Sequence, residues 1–301
     1  MSFCLIDSAR FKHNINIVSN YIDLHKIAIV IKNNAYGHGL IEMAGLASKN
    51  GIRHAVVINC KEANIVKDFF DTILVLSDTV NEFDSSNIHI AINDLDSIQN
   101  IPKHSKVELK IDTGMHRNGV HVSEINQALD MIDSRQQILK GVFTHFANPY
   151  KGSSMLRQKE KFDKLKEEIN INYPDKYIRF HCSSSPSIFL ISNEEYDLAR
   201  IGLALYGYVD LPQKKQSQNL KPIMSLWAEK ISCREIVKGD RVGYGGVFQA
   251  KKDMRISTYD IGYGDGFMRL DENKTSKISD GRSIIGRVSM NNLAIAGNDQ
   301  E

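Results

Sequence analysis

Short apolar, β-branched runs recur from the start of the chain to about residue 205, separated by stretches with helical spacing. They are IAIVIK (27–32), HAVVINC (54–60), TILVLS (72–77), IHIAIND (88–94), VELKID (107–112), LKGVFTHF (139–146), YIRFHC (177–182) and DLARIG (197–202). Near-continuous apolar runs mark parallel strands covered on both faces, and the intervening segments are long enough for right-handed helical crossovers. Amphipathic patterns over 8–22, 40–49, 122–133 and 153–171 supply helices. Eight such units predict an α/β chain built on a (β/α)8 barrel, while an open doubly wound sheet would give the same alternation.

After Leu220 the texture changes. The stretches SLWAEKISCREIVKGDRVGYGG, RISTYDIGYGDG and SDGRSIIGRVSMNNLAIAG lack helical periodicity, and turn signals such as Lys238-Gly239-Asp240 and Asp280-Gly281 punctuate them. A smaller, mainly antiparallel β domain is expected over 221–301, following the barrel over 1–220, with the polar segment 211–222 as linker.

Composition narrows the partner class. The chain has 301 residues, 42% hydrophobic and 25% charged, so it can bury a real core. Its net charge of +2, with no long basic run, disfavours nucleic acid and points to a small molecule. Cys4, Cys60, Cys182 and Cys233 form no C-x-x-C pair, which argues against a metal site and a disulfide framework and suggests a reducing, cytoplasmic setting. The N-terminal MSFCLIDSARFKHN has no signal-peptide pattern, and no apolar stretch of about 20 residues occurs, so neither export nor a membrane span is expected.

Candidate chemistry begins where strand IAIVI delivers Lys32 into the turn Lys32-Asn33-Asn34-Ala35-Tyr36-Gly37-His38-Gly39. In a barrel this is the C-terminal mouth, where active sites assemble. A desolvated lysine there has a lowered pKa and can form a Schiff base with a carbonyl cofactor. The other reading is a surface lysine closing a strand. Tyr36 adds a hydroxyl, and Gly37 and Gly39 permit close backbone approach.

The stretch KNNAYGHG closely resembles the cofactor-lysine motif of the alanine racemase family, fold-type III pyridoxal 5′-phosphate enzymes. Further landmarks follow in family order: LKIDTGMHRNGV (109–120), GVFTHFA (141–147), HCSSS (181–185), ARIGLALYG (199–207), RVGYGG (241–246), IGYGDG (261–266) and GRVSMN (286–291). The resemblance spans nearly the whole chain. It implies a barrel followed by a β domain, pyridoxal 5′-phosphate as cofactor, and interconversion of L- and D-alanine, supplying D-alanine for peptidoglycan. It also implies a head-to-tail homodimer with shared active sites.

Residue by residue, the resemblance makes Lys32 the cofactor lysine and one catalytic base, and Tyr244 the opposite base, entering from the other subunit. Two bases on opposite faces of a planar carbanion are what inversion needs. Arg200 matches the donor to the pyridine nitrogen, and a guanidinium only donates, so that nitrogen stays unprotonated and the ring is a weaker electron sink. Tyr36, Ser185 and the backbone at Gly202 and Leu203 match the phosphate-binding set. His145 matches a residue beside the ring, and His181 one that orients Arg200. Arg117 and the backbone of Met290, the latter from the partner, match donors to the substrate carboxylate, and Tyr263 matches a gate residue. Lys110 matches a lysine carbamylated in many members; unmodified, it would repel Arg117 unless neutral or turned away. Without the resemblance, Tyr244, Tyr263 and Met290 read equally as packing residues of the β domain, and Arg200 as a surface ion-pair partner.

Three positions depart from the pattern. Asn33 replaces a small residue after the lysine, Ser184 an asparagine, and Asn291 an aspartate. The resemblance implies further strands and a later tyrosine after Glu301, so either the β domain is a form shorter than in the family, which would bear on cofactor affinity and dimerisation, or further residues follow those given. Competing functions are a broader amino-acid racemase, a non-catalytic cofactor-binding barrel, which would lack the β domain, and a decarboxylase, which would place an acid where Arg200 stands.

Overall fold

The computed structural model describes residues 2–78, 86–150, 152–211, 219–269 and 276–297. They fall into two compact units, Ile6–Ile223 and, by itself, Met1–Leu5 with Met224–Glu301. Residues 212–218 of the segment read as a linker lie outside the described residues.

Every one of the eight apolar runs carries a strand of the first unit: β1 (Ile27–Val30), β2 (His54–Val57), β3 (Thr72–Val75), β4 (Ile88–Ile92), β5 (Lys106–Asp112), β6 (Ile138–Phe143), β7 (Arg179–His181) and β8 (Ala199–Ile201). Consecutive strands from β1 to β7 pair in parallel, and β8 pairs in parallel with β1. The seam between β7 and β8 is thinner. Asp197 N donates to Phe180 O at 2.9 Å and Arg200 N to Ser183 O at 3.0 Å, while the Asp197 carboxylate accepts Phe180 N at 2.6 Å. These bonds make a nearly closed barrel, and the open-sheet alternative falls.

Alternation along the strands sorts the core. Ile27, Ile29, Val57 and Ile73 join the large cluster under the helices, whereas Ala28, Val30, Val56, Leu74, Ala91 and Phe143 form a separate cluster inside the barrel. Beside that small apolar plug, the interior is charged: Glu108, Arg179, His181 and Arg200 are all buried.

Helices cover Ser8–Val18, Leu40–Lys49, Ile125–Ser134 and Gly152–Asn172, close to the predicted stretches, although the first ends four residues before 22. Two short helices, Cys60–Val66 and Leu95–Asn100, had no periodic signature; their sequence marks are the caps Asn59, accepting Glu62 N at 2.8 Å, and Asp94, accepting Ser97 N at 2.7 Å. No described helix is long and apolar enough to cross a membrane.

In the second unit, strands Lys230–Ile236, Met254–Tyr259, Leu293–Ala296 and Ile284–Ile285 form an antiparallel sheet in that order. Tyr259, Ile261, Ile284, Val288, Leu293 and Ile295 cluster against it. Strand Phe3–Ile6 pairs with Met224–Trp227, and Phe3 stacks on Trp227 with ring centroids 6.4 Å apart.

Gly141 in β6 shows how tightly the charged interior is filled. A methyl group there would lie 2.7 Å from Glu108 Oε2 and 2.9 Å from Arg179 Cγ. Gly141→Ala should therefore destabilise the barrel by about 1–3 kcal/mol through overpacking, read as a lower urea midpoint at unchanged slope. An unshifted midpoint would show that the interior yields at no cost.

Candidate active site

Lys32 leaves β1 at the end of the strand and is followed by a left-handed turn. Asn33, Asn34, Ala35 and Tyr36 have φ of 53°, 54°, 52° and 56°, and Gly37 follows at 87°. Each L-residue held there costs roughly 1–2 kcal/mol, least for asparagine, so Asn33 and Asn34 suit the turn, and the departure at Asn33 is accommodated. Hydrogen bonds hold the strained backbone. Ala35 N donates to Ile31 O at 2.8 Å, Leu40 N to Asn34 Oδ1 at 2.8 Å, and Asn34 N to Glu62 Oε1 at 3.1 Å, with the second Glu62 oxygen accepting Ile58 N at 3.1 Å.

The turn delivers Tyr36 over Gly202 in the segment after β8. A Cβ on Gly202 would lie 2.9 Å from Tyr36 Oη and 3.3 Å from Val30 Cβ, so a side chain there would displace the Tyr36 hydroxyl, and glycine leaves the approach open. Ser185 Oγ accepts both Gly202 N and Ala204 N at 3.1 Å, leaving its own proton to donate elsewhere. The Gly202 amide is thus committed to Ser185, while Leu203 N has no acceptor among the described residues. Ser184, the departure two positions after Cys182, instead turns its backbone N to Ser187 Oγ at 2.7 Å.

Arg200 is buried. Its Nη1 donates to His181 O at 3.2 Å and to His181 Nδ1, and its Nη2 donates to Thr144 O at 2.6 Å and approaches His145 Nδ1 at 3.4 Å. Its guanidinium lies over the Phe143 ring, 5.0 Å from the centroid. Burial lowers its pKa to about 10, so it remains a cation at neutral pH. Burial, together with Arg200 and Lys110, depresses His145 to about 3 and keeps it neutral.

Arg117 follows β5 in a loop gathered by Asp112, whose Oδ1 accepts Gly114 N at 2.9 Å, Met115 N at 2.8 Å and His116 N at 3.1 Å. Lys110 Nζ hydrogen-bonds the Asn118 side chain. Burial, then Arg117 and Arg200, lower Lys110 to about 8. The lowered value is the mark of that repulsion: at neutral pH Lys110 stays largely charged, with its Nζ held by the Asn118 side chain. Lys32 is also lowered, by burial first and Arg117 next.

A cavity of about 540 Å³ brings these groups together. Lys32, Lys110, Arg117 and Arg200 all line it, with Tyr36, His145, Ser185, Gly202 and Leu203, and no described carboxylate does. Among the described residues no cluster of three or more His, Cys, Asp or Glu side chains could hold a metal ion.

Tyr244, Tyr263 and Met290 belong to the β unit. Tyr244 sits in a turn between Gly243 (φ 72°) and Gly245 (φ 72°) and is 73% exposed. Tyr263 and Met290 are brought together there: Tyr263 N donates to Ser289 O at 3.0 Å, and Gly264 N to Met290 O at 2.8 Å. Sequence reasoning missed Asn118, Glu62, Asp112, Glu108 and Arg179. For the last two a signal existed, since each is a charged residue at an inward-facing position of a buried strand.

A lysine-bearing cationic cavity in an eight-stranded barrel, with a separate β unit following, defines a barrel protein with a site suited to small molecules that carry anionic groups. The family model for the alanine racemase N-terminal domain matches residues 6–210, and that for the C-terminal domain matches 223–301. An alanine racemase of a Nitratiruptor species is 44% identical over 307 residues, covering 100% of this chain and 90% of that protein. Another, from Campylobacter jejuni subsp. doylei, is 36% identical over 303 residues at the same coverage, 100% and 90%. The solved structure of alanine racemase from Acinetobacter baumannii matches with a TM-score of 0.82 at 27% identity, covering 100% of this chain and 88% of that one. The chain belongs to the alanine racemase family.

The neutral histidines fix a pH dependence. Burial lowers His54 and His181 to about 4 and His145 to about 3, against an ordinary 6.5. Below pH 6.5 the unfolded chain takes up protons that the folded chain refuses until about pH 4, so stability falls as pH falls through that window. A urea midpoint lower at about pH 5 than at about pH 7 is expected; an equal or higher one would mean these histidines are charged in the fold.

Proposed function

We propose that the chain interconverts L-alanine and D-alanine at the mouth of its barrel, with pyridoxal 5′-phosphate as cofactor. The cavity's charge carries this reading: four cationic side chains with no described carboxylate. Such a cavity favours a phosphate ester together with an amino-acid carboxylate. Its donor set fits that cofactor. Burial raises the pKa of Tyr36, which keeps its phenolic proton, and Ser185 retains a free hydroxyl proton; with Leu203 N–H they would hold the phosphate. Gly202 contributes through its missing side chain and its bond to Ser185.

Lys32 would hold the cofactor's carbonyl carbon through an amine biased toward its neutral, nucleophilic form. His145 would lie beside the ring, and Arg200 would donate to the ring nitrogen without giving up its proton. When bound, the cofactor supplies a conjugated ring that spreads the electron pair left at Cα. Arg117 would bind the substrate carboxylate, helped by the Met290 backbone N–H. Lys110, its Nζ held by the Asn118 side chain, would line the cavity near Arg117. Lys32 Nζ moves a proton on one face of Cα and Tyr244 Oη on the other, so removal from one side and return to the other inverts the centre. Tyr263 would narrow the entrance.

Tyr244 and Met290, both exposed in their own unit, are the groups a second copy of the chain would contribute, and we infer a homodimer with shared sites. Free thiols at all four cysteines support a reducing, cytoplasmic setting, where D-alanine would supply peptidoglycan synthesis.

The test is chiral chromatography of either enantiomer after incubation with the cofactor-loaded chain. Because the enantiomers are equal in free energy, kcat/KM must be the same in both directions, and any variant loses both equally. Lys32→Ala and Tyr244→Phe should each lower racemisation by about 10²–10⁴-fold. Mixed and re-equilibrated, these two variants should recover about a quarter of the wild-type activity, since half the dimers then hold one complete site. No recovery would contradict a shared site, and a fully active Tyr244→Phe would contradict the second base.

A further inference from the structure

The barrel interior carries charge that proton transfer at Cα does not use. Glu108, on β5, is fully buried, yet its carboxyl titrates well below the ordinary range: burial opposes this, and Arg179 with hydrogen bonds from His181 and His89 outweighs it. Arg179 Nε donates to Glu108 Oε1 at 2.9 Å, and Nη2 bonds the same oxygen. On its far side Arg179 Nη1 donates to Thr72 Oγ1 at 2.8 Å, and that hydroxyl lies 2.8 Å from His54 Nδ1. The other Glu108 oxygen is 2.6 Å from His181 Nε2. His181 Nδ1, in turn, meets Arg200 Nη1.

Donor and acceptor roles along this chain are forced. A guanidinium only donates, so His181 Nδ1 must accept from Arg200 and cannot carry a proton. The imidazole is neutral, so its proton is on Nε2, which needs an acceptor at the Glu108 position. Only an ionised carboxylate there serves His181 and Arg179 together. Replacing a buried ion pair with well-packed apolar side chains is often neutral or stabilising, so stability does not explain why these charges stand where barrels usually pack branched aliphatics.

We propose that Glu108, backed by Arg179, is a positioning residue: it fixes His181 with its proton on Nε2, so that Nδ1 holds Arg200 in place at the cavity. This rests on the reading of Arg200 as the donor to the cofactor's ring nitrogen. A glutamine at 108 cannot satisfy Arg179, His89 and His181 together. If its carbonyl accepts from Arg179, its NH2 faces His181 Nε2, the imidazole proton moves to Nδ1, and that N–H points at an Arg200 N–H.

The experiment is long-range ¹H–¹⁵N spectroscopy of the histidine rings in the full chain, empty and loaded with pyridoxal 5′-phosphate, with His181 assigned through His181→Gln. The native spectrum should show protonated Nε2 and bare Nδ1. Glu108→Gln should shift the proton to Nδ1 and change the absorption band of the bound cofactor, and kcat for alanine should fall about 10–100-fold, as outer-shell changes do, while KM moves less than kcat. If the lone Arg179 prevents that variant from folding, Glu108→Met/Arg179→Met removes both charges together and should fold, with His181 losing its fixed tautomer and kcat falling likewise. A His181 proton unmoved in both variants, or one that moves with kcat and cofactor absorption unchanged, would overturn the proposal. A native chain inactive on alanine would instead overturn the reading beneath it, and the ring spectrum alone would then decide the tautomer assignment.

Discussion

Glu108 sits inside the barrel with no contact with solvent, and an ionised carboxylate in such a place must be met on both oxygens. Arg179 and His89 meet one and His181 the other, at 2.6 Å, so strands β5 and β7 are joined through the interior as well as through their neighbour β6. The same requirement excludes a side chain at Gly141 and fixes which ring nitrogen of His181 is left for Arg200. From there the chain of bonds reaches the cavity wall. A single buried charge therefore constrains barrel packing and the most enclosed cation of the site together.

The mouth obeys a second electrostatic constraint. Lys32, Lys110, Arg117 and Arg200 share one cavity with no described carboxylate among them, and their mutual repulsion adds to burial in lowering Lys32 and Lys110. Anions entering such a cavity relieve that repulsion. The amines are at the same time biased toward the neutral form that a nucleophile or base requires. Backbone strain serves the arrangement: four consecutive left-handed residues after Lys32 turn the chain back so that Tyr36 reaches Gly202, and Glu62 and Asn34 supply the bonds that hold the turn.

The barrel was legible because parallel strands buried on both faces leave continuous apolar runs, and all eight runs proved to be strands. The helices Cys60–Val66 and Leu95–Asn100 were too short to show a period, and the pairing of Phe3–Ile6 with Met224–Trp227 joins residues far apart in sequence, which local patterns do not encode. At the site, residue types signalled Lys32, Arg117 and Arg200, and family resemblance supplied their roles. The left-handed turn was invisible apart from its asparagines, because backbone handedness is set by the tertiary bonds to Glu62. Glu108 and Arg179 were legible in principle. A charge at an inward position of an otherwise apolar strand has to be paired, and the alternation in VELKID and YIRFHC puts both inside.

Opposed bases at this barrel mouth would exchange the α-proton of alanine with solvent. The most direct measurement is the incorporation of deuterium from heavy water into L- and D-alanine by the chain loaded with pyridoxal 5′-phosphate, with chirality read on the labelled product. Either enantiomer should acquire deuterium at Cα, and product of inverted configuration should carry it. Cofactor bound at Lys32 with no exchange at Cα, or exchange that always retains configuration, would contradict the opposed bases.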